Sequence, residues 1–274
     1  MSVTGVKRDH NGRVKVVPDA PRGRFHDMFE GFRDELDQHH DRRERLVKVS
    51  RDVTAQSKKM QVTALPITFS MLTRSLVKEL NKELPPNIQK DMDTRIAEIA
   101  TLLGSIAPDL QSINRYRYQS SMRCLEELVE ALSFAHYLRH QTLITPAQAQ
   151  AAVPADVSLT EYDYMYGVFD LFGELMRFTT VTTAQTGRLL GGRADGDHDH
   201  HHSRTLLSDM QDLGCAFEMM RDVPTRDYRN KVEAMRQSVR KVEKLGYGLV
   251  VRGSERPKGW VPDMKEDVAD HGSP

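Results

Sequence analysis

Residues 161 to 178, EYDYMYGVFDLFGELMRF, restrict the fold more than any other stretch of the 274-residue chain. On a helical projection Tyr164, Val168, Phe169, Leu171, Phe172, Leu175, Met176 and Phe178 cover most of the circumference. One narrow strip is polar: with Asp170 at zero, Asp163 falls at about 20°, Glu174 at about 40° and Arg177 at about 340°. A helix that is apolar nearly all round is buried. The strip must therefore face another element or a cavity, where an unpaired carboxylate is costly. Gly167 and Gly173 flank the acids and would let a neighbouring element approach closely.

A second stretch, EELVEALSF at 126 to 134, repeats the problem. Leu125, Leu128, Leu132 and Ala135 share one face, with Glu126, Ser133 and His140 opposite, where solvent is expected. Glu127 is different: with it at zero, Phe134 lies at about 340° and Leu138 at about 20°, so this acid sits among apolar neighbours. Glu130 is one turn further along the same strip. Like charges at i, i+3 repel, and more strongly when desolvated, so Glu127 and Glu130 call for a cation nearby.

Glu127, Glu130, Asp170 and Glu174 thus lie on faces that should be inside. A set of carboxylates without Cys or His suits Mg²⁺ or Mn²⁺, and such sites commonly act on phosphodiesters. A network of ion pairs with Arg177 and other basic residues explains the same acids. A di-iron bundle would need Glu-x-x-His pairs, which neither Glu127, Glu130 nor Glu174 supplies.

The rest of the chain reads as helical. Periodicity predicts one long helix over 25 to 65, with Phe29, Phe32, Leu36, Leu46, Val49 and Val53 inward, and shorter ones at 68 to 82 and 87 to 104. Helices follow at about 109 to 140, 160 to 185, 204 to 221 and 225 to 246, with a short one opened by Thr145 and Pro146. Sustained alternation is nearly absent, so the fold class is all-α, an antiparallel bundle of six to seven helices. Polar tails at 1 to 24 and 254 to 274 bracket a single domain at 25 to 253, interrupted by a Gly-rich loop at 186 to 204.

Composition narrows the setting. Lys plus Arg and Asp plus Glu are 39 each, so net charge points to no polyanionic partner and only local patches can. Cys124 and Cys215 read as reduced core thiols. No apolar leader or 18-residue apolar run is present, which predicts a soluble intracellular protein with no membrane contact. The scattered Lys7, Arg8, Arg13 and Lys15 are a weak nuclear-import signal.

ELVEALSFAHYLRHQTLIT, DYMYGVFDLFGELMR and KVEKLGYGLVVRGSERPK resemble, in that order, three signature segments of the translin superfamily, and RRERLVKVSRDVTAQSKK at 42 to 59 resembles the end of its long first helix. The resemblance spans about 25 to 260. It implies a seven-helix bundle and the Mg²⁺-dependent endoribonuclease branch of the family, joined to translin in a hollow hetero-oligomer that encloses RNA. It also implies roles in passenger-strand removal during RNA silencing and in trimming tRNA precursor fragments. The chain is expected in the cytoplasm and not secreted, with the nucleus as the second compartment. The family's catalytic acids fall on Glu127, Glu130 and Asp170, with Glu174 a further ligand. The loop at 187 to 203, the tails and the lack of a compact import signal depart from the animal pattern.

RYRYQSSMR, 115 to 123, interleaves Arg115, Arg117 and Arg123 with Tyr116 and Tyr118, a composition suited to single-stranded RNA through phosphate attraction and base stacking. Arg42, Arg45, Lys48, Arg51 and Lys59 form a basic side of the first helix that reads equally as a solvated face. DGDHDHHHS at 195 to 203 has metal-binding composition but no framework to fix ligands, and Ser203 and Ser208 belong to no readable triad. Against the nuclease stands a non-catalytic scaffold that stabilises translin and carries RNA, its acids purely structural.

Overall fold

The computed structural model describes residues 23 to 64, 86 to 190 and 205 to 252, and every regular element among them is helical. The expected helix at 68 to 82, the His-rich stretch 195 to 203 and the tail 254 to 274 lie outside the described residues. The chain divides into two compact units between Glu44 and Arg45.

Helix α1, His26–Ala64, crosses that division. Its early apolar residues are not the core expected of them: Phe29, Phe32 and Leu36 are exposed. The described part of the first unit is a single helix, with no second element to cover them. Further along the same helix Leu46, Val53, Ser57 and Met60 are buried.

In the second unit α2 is Pro86–Ile106 and α4 is Cys124–His140. The single helix expected over 109 to 140 is broken. A 3-10 turn at Ala107–Leu110 contains Pro108, Gln111 is extended and Ser112 takes φ 57°, and only a one-turn α3, Asn114–Arg117, and a second 3-10 turn at Gln119–Ser121 precede α4. The polar run QSIN and the serines at 120 and 121 favour such turns. A buried anchor fixes them: Arg115 donates through Nε to Ser158 O at 2.8 Å and through Nη2 to Asp163.

Two capping boxes start the next helices. Thr145 and Gln148 cap α5, Pro146–Ala151, and Thr160 and Asp163 cap α6, Glu161–Thr186. Gly187, in the left-handed region at φ 70°, ends α6. α7 is Leu206–Glu218 and α8 is Arg226–Arg252.

Residue pairs give the helix directions. Gln56 meets Arg95 and Arg45 meets Asp109, so α1 and α2 run oppositely. α7 opposes α8, with Glu218 on Arg236 and Gln211 on Glu243. α4 and α6 instead advance together: Glu126 and Val129 meet Gly167, and Phe134 meets Phe178. α8 follows the same direction, Phe169 touching Tyr228 and, further on, Leu189 lying by Gly246. The long connection from 141 to 160, holding α5, carries the chain back so that α6 can start beside the start of α4. Tyr164 Oη ties that connection down by donating to Ile144 O at 2.5 Å.

The core runs along this parallel set, through Leu125, Leu128, Phe134, Phe172, Leu175 and Phe178. Ser133, expected at solvent, is fully buried, because α4 is enclosed on almost every side. Cys124 is buried and burial pushes its thiol up to about 11, whereas Cys215 is exposed; both are free.

Gly167 is the tightest point. A Cβ there would lie 2.6 Å from Val129 Cβ and 2.7 Å from Glu126 O, so one of the two helices would have to move. Gly167→Ala should cost about 1–3 kcal/mol of stability, read as a lowered midpoint in urea denaturation.

Candidate functional site

The α4–α6 contact brings the two acidic strips face to face. Glu127, Glu130, Asp170 and Glu174 line one cleft of about 490 Å³, closed by Lys58, Gln61 and Val62 of α1, by Phe169, Gly173 and Arg177 of α6 and by Ala234 and Ser238 of α8. All four acids named from the sequence are therefore in one place. Gly173 makes no close approach to another element; the space where a Cβ would sit is open.

The floor of the cleft is formed by buried carboxylates. Glu130 is 7% exposed, and burial pushes its carboxyl up to about 8, opposed by the Gln61 amide and reinforced by Asp170, Glu127 and Glu174. Burial also raises Glu174, against the pull of Arg177. Oε2 of Glu174 is buried with no hydrogen-bond partner. An orphaned carboxylate oxygen in a cleft marks a place where a ligand would remove a cost.

Cations stand at the rim. Arg177 Nη1 lies 2.8 Å from Glu174 Oε1, and Lys58 Nζ lies 3.5 Å from Glu127 Oε1. Lys231 of α8 bonds Asp170 Oδ2 at 2.6 Å and approaches Glu126 Oε2 at 3.4 Å. Its ammonium also sits 5.1 Å over the Tyr166 ring. Glu126, expected to be an ordinary solvent residue, is half-buried and lifted by burial, with Lys231 opposing. Among the described residues no three His, Cys, Asp or Glu side chains are gathered closely enough to hold one metal ion. The oxygen donors of the cleft are four carboxylates, two of them raised by burial and one with an orphaned oxygen.

Of the five residues read as RNA contacts, two are corrected. Arg115 is buried, its guanidinium held by Asp163 and Ser158, and Tyr118 is buried in the core. Asp163, grouped by its angle with the acidic strip, is occupied by Arg115 and by Thr160, which donates to it from N at 2.8 Å and from Oγ1 at 2.7 Å. The interruption of the helix before α4 turns these residues inward. Tyr116, Arg117 and Arg123 are exposed. Arg123 pairs with Asp227 at 2.6 Å beside a smaller pocket of about 290 Å³ that adjoins the cleft and shares Glu127 and Asp170 with it.

The sequence matches the Translin family over residues 41–253. This chain belongs to the translin family. It is 28% identical over 266 residues to Translin-associated protein X of Rattus norvegicus, covering 86% of this chain and 82% of that protein. It is 25% identical over 240 residues to the Translin-associated protein X homolog of Schizosaccharomyces pombe, covering 83% and 89%. A Translin from Gallus gallus is 25% identical over 179 residues, covering 63% of this chain and 72% of that protein.

Within this translin-family chain the residues missed from sequence are the cations Lys58 and Lys231. Each belongs to a helix that is otherwise strongly charged, so nothing in the local pattern separates them from surface lysines. No described helix is long and apolar enough to cross a membrane.

Removing Arg115 leaves Asp163 buried without its cation, so Arg115→Met should lose about 3–5 kcal/mol in urea denaturation, while Tyr116→Ala should stay within about 0.5 kcal/mol. Glu130 sets a pH dependence. Its folded value of about 8 lies above the ordinary 4.5, so in that window the native state holds a proton the unfolded chain releases. Stability of the metal-free protein should fall as pH rises from about 4.5 to 8. Glu130→Gln should flatten that part of the profile, measured as urea midpoint against pH.

Proposed function

We propose that this chain is a divalent-metal-dependent endoribonuclease subunit that works with translin in a hetero-oligomer and cleaves single-stranded RNA. One observation carries the reading: Glu127, Glu130, Asp170 and Glu174, two from each of two helices, line a single cleft that contains an orphaned carboxylate oxygen. The names of the relatives support the partnership, since they are called translin-associated.

Glu127, Glu130, Asp170 and Glu174 would hold Mg²⁺ or Mn²⁺. The ion, when bound, would lower the pKa of water and neutralise charge developing on a phosphodiester. Glu130 holds a proton at neutral pH in the metal-free cleft, so it must release that proton to act as a ligand. Lys58 and Arg177, on the rim, supply positive charge beside the acids and draw the RNA backbone toward them. Tyr116, Arg117 and Arg123 extend the contact along single-stranded RNA by stacking and phosphate attraction. We assign the chain to cytoplasm and nucleus, and its substrates to the passenger-strand and tRNA-precursor fragments that the resemblance implies.

The ion pairs favour a second reading. Glu127, Asp170 and Glu174 each have a cationic partner, the arrangement a non-catalytic scaffold would need.

Cleavage of a labelled single-stranded RNA by the chain co-purified with translin separates the two. With Mg²⁺ the wild type should cleave and with EDTA it should not, and Glu127→Gln should lose about 100-fold or more while still binding RNA. Cleavage that survives both EDTA and the substitution means that the acids are structural.

A further inference from the structure

Four cations border the acidic cleft and the smaller pocket beside it; Arg123 is paired with Asp227, and the other three are not held alike. The side chains of Lys58 and Arg177 are 59% and 57% exposed, and each reaches one carboxylate from the rim. The Lys231 side chain is 19% exposed and is held at several points. Asp170 Oδ2 stands at 2.6 Å, Glu126 Oε2 at 3.4 Å and the carbonyl of Tyr166 at 3.4 Å, with the Tyr166 ring beneath.

Their positions differ too. Lys58 and Arg177 line the larger chamber with Glu130, Glu174 and Gln61, the one that contains the orphaned Glu174 oxygen. Lys231 lines the smaller chamber with Glu126, Tyr166 and Asn230, and the Arg123–Asp227 ion pair borders it. Asp170 and Glu127 line both and form the wall between them. A divalent ion entering the larger chamber competes with two solvated, loosely held side chains, which exchange readily with water. Displacing Lys231 would instead bare two partly buried carboxylates and break a cation–π contact.

On the metal-binding reading above, on which this rests, we propose that Lys231 is the fixed second cation of the cleft. It occupies the smaller chamber in place of a second divalent ion, positions Asp170 from that side, and limits the chain to one bound metal. Glu126 serves Lys231 and is not a metal ligand. Clusters of carboxylates that hold two ions place them on either side of a shared acid; here one of those sides is taken by an ammonium.

Stoichiometry tests this without any measurement of cleavage. Metal-stripped full chain, co-purified with translin, is titrated with Mn²⁺ and followed by calorimetry and by the electron paramagnetic resonance of free Mn²⁺. The wild type should bind one Mn²⁺ per copy of this chain, Lys231→Arg one, and Lys231→Met two. Glu126→Gln should still bind one, with affinity within about 3-fold of wild type, because its carboxylate serves the lysine. Two ions in the wild type, one in a folded Lys231→Met, or loss of the ion in Glu126→Gln each overturn the assignment. Should Lys231→Met fail to assemble, the wild-type count and Glu126→Gln decide it. A wild type that binds no Mn²⁺ overturns the metal reading itself, and the role of Lys231 falls with it.

Discussion

The close contact of α4 and α6 at Gly167 sets the geometry of everything around it. With no Cβ at that position, α6 lies against the backbone of Glu126 and the side chain of Val129. The two helices also run the same way, so residues one turn on in α6 stay level with residues one turn on in α4. Asp170 and Glu174 therefore meet Glu127 and Glu130 in register across a narrow gap. Were the helices opposed, the pairing would be swapped, each acid of one strip lying level with the other acid of its neighbour. The crossover through α5, pinned by two capping boxes and by Tyr164 on Ile144, makes that direction available.

Electrostatics then divides the cleft. Burial at its floor pushes the Glu130 carboxyl up to about 8 and leaves an oxygen of Glu174 unpaired. At its rim solvated cations compensate the outer carboxylates. On the α8 side Lys231 is locked between Glu126 and Asp170. Such an arrangement is stable without metal, since most of the negative charge has a partner. The partners on the larger chamber's side, Lys58 and Arg177, are the exposed ones. The proposed nuclease and the scaffold reading differ in whether an ion replaces those two cations.

Helix positions were largely legible from periodicity, as α1, α2, α6 and α8 illustrate, because an apolar face repeats along the chain wherever a helix is buried on one side. The segment before α4 was not. Arg115 and Tyr118 look like surface residues beside tyrosines and serines, and only the break at Ser112 and the distant Asp163 turn them inward. Phe29, Phe32 and Leu36 mislead in the other direction: their spacing is that of a core, yet the described structure leaves them exposed. Periodicity reports which side of a helix is apolar and not what covers it.

By itself the sequence determined that the chain is helical and that Glu127, Glu130, Asp170 and Glu174 lie on inward faces. Those properties follow from a 3.6-residue repeat, which is local. Tertiary structure alone decided that the two strips meet, that α4 and α6 run in one direction, and that Lys231, some sixty residues from Asp170, is its partner. Facing is set within a helix, but pairing depends on which helices are brought together and in which sense. That is settled by packing between segments far apart in the chain, and no local pattern records it.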